Sequence, residues 1–225
     1  MRLVSLLFDG ITALDIVGPL QVLTHLPGVE AITVAKTAGP VRDRQAALGL
    51  VAEKALGEID RADILLVPGG PGTRGLIDDA EVIDWIKAIH PTTTWTASIC
   101  TGSLLLGKAG LLTGKQATTH WGAAAILEAL GATYVEQRVV FHDTDRLVTA
   151  AGVSSGIDMA LGLLAKLQGD EAAMAAQLGI EYDPQPPFDA GAPSKAPESV
   201  LAKLRPVLKQ LNDPVVAALK ARTPA

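Results

Sequence analysis

Thr96-Ala97-Ser98-Ile99-Cys100-Thr101-Gly102-Ser103 is the stretch that decides the fold. Its first half is rich in β-branched and small residues, and residues 93–99 read as a central strand. Its second half opens a helix, expected over residues 101–109, with no loop between the two. The junction residue is the chain's one cysteine. Small residues stand two before it (Ser98) and two after it (Gly102). A nucleophile elbow needs that spacing, because the sharp turn brings neighbouring backbones too close for larger side chains. At a helix start, unpaired N–H groups and the dipole favour thiolate over thiol. A free cysteine is otherwise a small buried hydrophobe, and spacing alone does not separate the two roles.

Outward from this junction, short apolar runs alternate with longer amphipathic ones, the pattern of βαβ units around a parallel sheet. Strands are expected at residues 3–8, 31–35 and 64–67, with a small edge element at 48–52. Helices are expected at 19–26, with Pro19 in the first turn, and at 80–89, where Pro91 ends the run. Further on, residues 116–119 read as a short strand and 123–130 as a helix. Residues 134–141 and 147–150 read as a hairpin, and 155–167 as a long apolar helix. The expected fold is α/β, a doubly wound, mostly parallel sheet flanked by helices, spanning residues 1–183. From 184 to 225 the chain changes character. Pro184, Pro186, Pro187, Pro193 and Pro197 deny regular structure to one short segment. A helical stripe follows over residues 199–211, and the whole is expected to be a proline-rich wrap and helical extension of the same domain.

In an open parallel sheet, loops at the carboxyl ends of the strands share one crevice. Leu14-Asp15-Ile16-Val17-Gly18-Pro19, after the first strand, should therefore bring a carboxylate to the Cys100 turn. Asp15 would then exchange a proton with the sulfur; capping the helix near Pro19 is its plainer role. Asp9, beside Gly10, reads as a turn residue. Val67-Pro68-Gly69-Gly70-Pro71-Gly72 would point backbone N–H groups into the same crevice, where they suit a developing anion. Gly70, Gly72 and Gly75 also match Gly-x-Gly-x-x-Gly, but far from the first strand and with no acidic residue at the expected distance, so nucleotide binding is not expected. His120, in Thr118-Thr119-His120-Trp121, is a candidate third corner of a Cys–His–acid arrangement or a partly buried structural histidine.

Composition narrows the field. Hydrophobic residues make up 48% and charged residues 19% of 225, an ordinary globular balance. The net charge of −5 argues against a nucleic-acid partner, and no apolar run is long enough to span a membrane. The amino terminus lacks a small-residue cleavage site and runs into Asp9-Gly10, so it reads as a strand and not a signal peptide. One cysteine and four scattered histidines point to no disulfide, no metal and no cofactor, and to a cytoplasmic setting.

These segments resemble the DJ-1/PfpI superfamily and, within it, the isocyanide hydratases. The matching pieces are Leu14–Pro19, Val67–Gly72, Ser98-Ile99-Cys100-Thr101-Gly102-Ser103-Leu104, Ala117–Trp121, Ser155-Gly156-Ile157-Asp158 and the tail Glu181–Gly191. The resemblance implies a flavodoxin-like sheet of the DJ-1/PfpI type and a homodimer. Asp15 and Thr101 stand where the protease-like and deglycase-like members carry Glu and His, which implies the hydratase branch. The implied reaction is hydration of an isocyanide to an N-formamide without metal or cofactor. Cys100 would add to the terminal carbon, Asp15 would protonate it, and water would hydrolyse the thioimidate. Thr101 would position Asp15 or the water, while Gly70, Gly72, Gly152 and Val153 would face the substrate. Where the hydratases carry a glycine-rich run ending in Ile, this chain has Ala150-Ala151-Gly152-Val153, with methyl groups that would tighten the pocket or restrain the next helix. DNA-binding regulators share two of the motifs, but too little chain follows the fold here to expect a helix-turn-helix domain. Two other functions remain open: a cofactor-free glyoxalase or amide hydrolase at the same cysteine, and a non-enzymatic sensor in which Cys100 is oxidised.

Overall fold

The computed structural model describes residues 1–222. Strands β1 (Arg2–Leu6), β2 (Glu30–Ala35) and β6 (Ile64–Val67) are parallel, as are β7 (Trp95–Ile99) and β11 (Leu147–Ala150). With β5 (Lys54–Ala55) at one edge and β10 (Val139–His142) at the other, they form a seven-stranded sheet in the order β10-β11-β7-β6-β1-β2-β5. Only β10 runs antiparallel to its neighbour. β6 (Ile-Leu-Leu-Val) and β7 are buried at every residue, as expected of strands covered on both faces. Each such aliphatic side chain contributes about 1.5–3 kcal/mol when fully buried.

Helices α1 (Leu14–Leu23), α2 (Thr73–Leu76), α3 (Ala80–Ile89) and α4 (Gly102–Lys108) connect the strands, with α5 (Ala124–Ala129), α6 (Ser155–Gln168), α7 (Asp170–Gly179) and α8 (Glu198–Arg222). They flank the sheet in two groups: α6 packs on α1 and α7, while α4 packs with α2, α3 and α5. A small antiparallel pair, β3 (Gly39–Arg42) and β4 (Gly49–Ala52), and a parallel pair, β8 (Gln116–Ala117) and β9 (Thr133–Tyr134), lie outside the main sheet.

The α1–α6 crossing is close because glycines on each helix face side chains of the other. A methyl group on Gly18 would lie 3.0 Å from Ile157 Cγ1, and one on Gly156 would lie 3.0 Å from Pro19 Cγ. The Gly18-Pro19 and Gly156-Ile157 pairs thus interlock, and their packing fixes the first turn of α1, which carries Asp15.

Several expectations are corrected. α1 begins at Leu14, so Pro19 lies inside the helix rather than in its first turn, and its ring is used for the α6 contact. Tyr134 belongs to β9, not to the hairpin, which is formed by β10 and β11. The edge element near residue 50 pairs with the unexpected β3. α7 was not anticipated, its alanine-rich face giving a weak period. α8 runs past residue 211, through Pro206 and Pro214, and packs on α5.

Candidate active site

Four adjacent parallel strands, β1, β6, β7 and β11, deliver Asp15, the glycine loop, Cys100 and Val153 to one edge of the sheet. Strand order reverses between β1 and β6, β2 lying on one side of β1 and β6 on the other, the switch point at which such sheets form a crevice.

Cys100 occupies the turn between β7 and α4 with φ of 55°, a left-handed conformation that side chains adopt at a cost of about 1 kcal/mol. The surroundings hold it there. Its N–H donates to the carbonyls of Ala150 at 3.1 Å and Ala151 at 2.8 Å. Its own carbonyl accepts from Thr119 Oγ1 at 3.0 Å and Ser103 Oγ at 3.2 Å. A methyl group on Gly102 would lie 2.0 Å from the Val67 carbonyl oxygen, and one on Gly69 would lie 2.4 Å from the Thr101 nitrogen. The glycines allow β6 and its loop to press directly against the cysteine turn.

Asp15 is fully buried. It does not cap α1; Oδ2 accepts from the Gly69 N–H at 2.9 Å. Oδ1 meets no donor at hydrogen-bonding geometry. Burial pushes the carboxyl up to about 7, against the Gly69 hydrogen bond, the Cys100 thiol and the more distant Arg44 charge, all of which favour ionisation. Burial, and then the charge of Asp15, push the Cys100 thiol up to about 12, although the N–H groups of Thr101 and Val153 and the Thr101 hydroxyl favour the thiolate. The expectation of a resting thiolate is therefore corrected. At neutral pH the sulfur keeps its proton while Asp15 is near the midpoint of its titration; desolvation outweighs the helix start.

Thr101 stitches the site together. Its Oγ1 accepts from the Gly70 N–H at 2.9 Å and from Thr73 Oγ1 at 3.0 Å. Gly70, with φ of 140°, packs so closely on the β1 loop that a methyl group would lie 2.4 Å from the Gly10 oxygen. The Gly72 N–H bonds Gly10 O at 3.2 Å. The N–H groups of Gly70 and Gly72 are thus engaged within the protein and do not form the anion-binding pair expected of them. Their loop positions Asp15 and Thr101 instead. Val153, by contrast, points its N–H at the sulfur.

His120 does not complete a triad. Its Nδ1 accepts from the Gly122 N–H at 3.2 Å and its ring stacks on Trp121. Burial, with Arg74 and Arg44, holds it below its ordinary value and therefore neutral. No hydrogen bond joins it to Cys100 among the described residues. Gly152 packs against the ring, where a methyl group would lie 3.1 Å from Cδ2. Beside this wall lies a cavity of about 450 Å³, lined by Thr119, His120, Trp121, Gly152 and Val153 and bounded by residues 191–194 of the proline-rich tail. Among the described residues, no group of three or more His, Cys, Asp or Glu side chains is placed to hold a metal ion, and no helix is long and apolar enough to cross a membrane.

Thr73 and Arg74, from α2, and Asn212, from α8, were missed in sequence. Thr73 is buried and donates to both Thr101 and the Gly70 carbonyl. Only its position two residues beyond the glycine loop's last proline could have suggested it.

Residues 1–166 match the DJ-1/PfpI family. An isonitrile hydratase of Pseudomonas putida is 41% identical over 89% of this chain and 86% of its own length. A glutathione-independent glyoxalase of Caenorhabditis elegans is 29% identical over 68% of this chain and 77% of that protein. Among solved structures, a ThiJ/PfpI family protein from Pseudomonas syringae superimposes with a TM-score of 0.91 at 35% identity, covering 97% of this chain and 89% of that one.

Proposed function

The chain belongs to the DJ-1/PfpI family, and on that premise we propose that it hydrates isocyanides (isonitriles) to N-formamides through covalent attachment to Cys100. The observation that carries the reading is Asp15: a fully buried carboxyl, poised at about 7, that interacts with the single cysteine and whose Oδ1 meets no other donor. The similarity to an isonitrile hydratase supports the same substrate class.

The terminal carbon of R–N≡C accepts a nucleophile and then needs a proton. As Cys100 Sγ forms its bond to that carbon, Asp15 takes the thiol proton, which avoids a free buried thiolate. The same proton passes from Asp15 to the carbon, leaving the thioimidate R–N=CH–S–Cys100. Water then adds to this carbon while Asp15 removes one of its protons. The proton passes to nitrogen, sulfur leaves with the second proton, and R–NH–CHO is released. Every proton comes from water in the net reaction, and an acid near 7 serves in both directions at neutral pH. Dividing one addition into two steps is the gain of covalent catalysis. The Val153 N–H faces the sulfur and steadies charge on it. Thr101, bonded to the Gly70 N–H, sets the distance between the glycine loop and the cysteine turn.

Residues 1–183 and the segment 184–225 are taken as one functional domain, working in the cytoplasm as a homodimer without metal or cofactor. The test is incubation of purified protein with an aryl isocyanide, following formamide absorbance, with methylglyoxal in parallel. Formamide should appear with wild type, survive exhaustive chelation, and be absent with Cys100→Ser and Cys100→Ala. Formamide production by Cys100→Ala would remove covalent catalysis. Turnover of methylglyoxal alone would transfer the site to the glyoxalase reaction.

A further inference from the structure

The cavity beside the cysteine turn is far larger than the reacting group requires. An isocyano head is a slender, linear N≡C unit, whereas the cavity encloses about 450 Å³, the scale of a small-molecule site. Two of its lining residues hold Cys100 directly. The Ala151 carbonyl accepts the Cys100 N–H at 2.8 Å, and Thr119 Oγ1 donates to the Cys100 carbonyl at 3.0 Å. Cys100 itself is not part of the lining and is only 5% exposed. Such a position admits a slender head and leaves a bulkier group behind, in the cavity.

One wall is aromatic and braced from outside. Trp121 stands half-buried in it, stacked on His120 with ring centroids 5.8 Å apart and planes 26° apart. The other two tryptophans, Trp85 and Trp95, belong to the core. Trp121 opens the 3₁₀ turn Trp121–Ala123, whose Gly122 carbonyl accepts from Asn212 Nδ2 on α8. Asn212 is buried, and its Oδ1 accepts from Arg74 Nε at 3.0 Å and Nη2 at 2.7 Å, so both ends of the amide are fixed. Leu208 closes over the same turn, where a methyl group on Gly122 would lie 2.8 Å from its Cδ1. The tail supplies another wall through Ala192 and Pro193. Its turn is closed by the Lys195 N–H on the Ala192 carbonyl at 3.0 Å and by the Lys195–Asp189 ion pair at 2.8 Å. At the rim, the charge of Arg138 is matched by Asp158, and Glu136 adds a negative one.

We propose that this cavity is the subsite for the R group of the isocyanide and selects a flat, uncharged, fused-ring aromatic group, laid along Trp121 and closed in by the tail at Ala192 and Pro193. The inference rests on the hydratase reading and deepens it. In R–N≡C the ring bond, the nitrogen and the terminal carbon are collinear. An aromatic body held in the cavity therefore carries the reactive carbon straight beyond itself, to the cysteine turn. A planar ring gains from stacking or edge contact with the indole, which a branched alkyl group of equal size does not. An anionic group would find Arg138 already paired and Glu136 repelling it. The tail wall lies outside residues 1–166, the part that matches the family, so the chain's own tail sets this side of the pocket.

The experiment has a binding arm and a turnover arm, with wild type, Trp121→Ala and Ala192→Phe, each checked for folding by circular dichroism. In the first, N-(2-naphthyl)formamide is titrated into the protein by calorimetry. Trp121→Ala removes the aromatic face and Ala192→Phe fills the cavity from the tail, so each should weaken binding about tenfold. A carboxylate added to the naphthyl ring should weaken binding to wild type as well. In the second arm, specificity is read as the ratio of kcat/KM for 2-naphthyl isocyanide to that for methyl isocyanide, and it should fall about tenfold in both variants. A defect in the cysteine turn would lower both numbers and leave their ratio alone. If Trp121→Ala does not fold, Ala192→Phe decides alone, since the tail lies outside the core. Wild-type binding and an unchanged ratio in a folded variant would overturn the inference, as would tighter binding of the carboxylate. The binding arm needs no turnover, so an absence of formamide production by wild type would refute the hydratase reading while still judging the cavity.

Discussion

Asp15 is a residue placed against its own ionisation. In the unfolded chain its pKa is near 3.8; in the native site it is about 7. For an acid, a raised native pKa means that the native state binds the proton more tightly. The resulting stabilisation is fully present below about pH 4 and is lost as pH rises through 7. By pH 8 the buried carboxylate costs on the order of 3–4 kcal/mol relative to an unshifted group. Asp15→Asn keeps the shape and the Gly69 hydrogen bond without the charge. It should be nearly inactive in formamide production, retain a Cys100 that reacts with iodoacetamide, and resist urea better than wild type at pH 8. That stability advantage should shrink towards zero at pH 4. An equal gap at both pH values would show that the carboxyl's native pKa is not raised above its unfolded value. Turnover by the wild type should rise with pH through about 7, and Asp15→Asn should lack that rise. Cys100, Asp15 and Thr101 were legible in sequence because each follows the carboxyl end of a parallel strand, where chain order dictates meeting. The proton's location was not, since whether the helix start or desolvation wins depends on burial that no spacing reveals.

At the scale of elements, the cysteine turn depends on backbone contacts that leave no room for a side chain. Gly102→Ala would force a methyl group to 2.0 Å from the Val67 carbonyl oxygen at the end of β6. Backbone has to move there, so the variant should lose several kcal/mol, about 2 or more, and its activity. Gly75 is the control. It lies in α2 with nothing within 4 Å of an added methyl group, and Gly75→Ala should be neutral or up to about 1 kcal/mol more stable. Thermal melts of the two proteins, with iodoacetamide reactivity of Cys100, check both outcomes; equal melting temperatures would contradict the packing. The parallel strands and the elbow could be read from sequence because branched runs and paired small residues encode them locally. The split of Tyr134 from the hairpin could not, because β9 is a two-residue strand defined by its pairing with β8. Nor could the partnership of Arg74 with Asn212, which joins residues far apart in the chain through the docking of α8.

At the scale of the molecule, α8 presents two faces of different fate. Leu201 and Leu219 are buried and Leu208 covers Gly122, so one face folds back on its own domain, as the apolar stripe required. The other keeps Val200, Leu204, Val207 and Leu211 between 43 and 55% exposed, and Phe188 in the preceding wrap is 79% exposed. Four aliphatic side chains at helical spacing form a continuous strip that water disfavours, and completing the burial of each would contribute about 1 kcal/mol. A second copy is the expected partner, because a twofold axis doubles every such gain with a surface that is always available. The protein should therefore be a homodimer at micromolar concentration, with the 184–211 segment at or over the interface. Truncation after Tyr182 is a poor test by itself, since it would also strip Leu208 from Gly122 and Asn212 from Arg74, exposing new apolar surface. Leu204→Glu with Leu211→Glu changes only the outer face. In sedimentation or light scattering the full chain should be a dimer and the double variant a monomer of unchanged helix content. A monomeric full chain would defeat the proposal outright. A double variant that stays dimeric would move the interface off α8, to another apolar surface such as Leu14 and Val17 on α1.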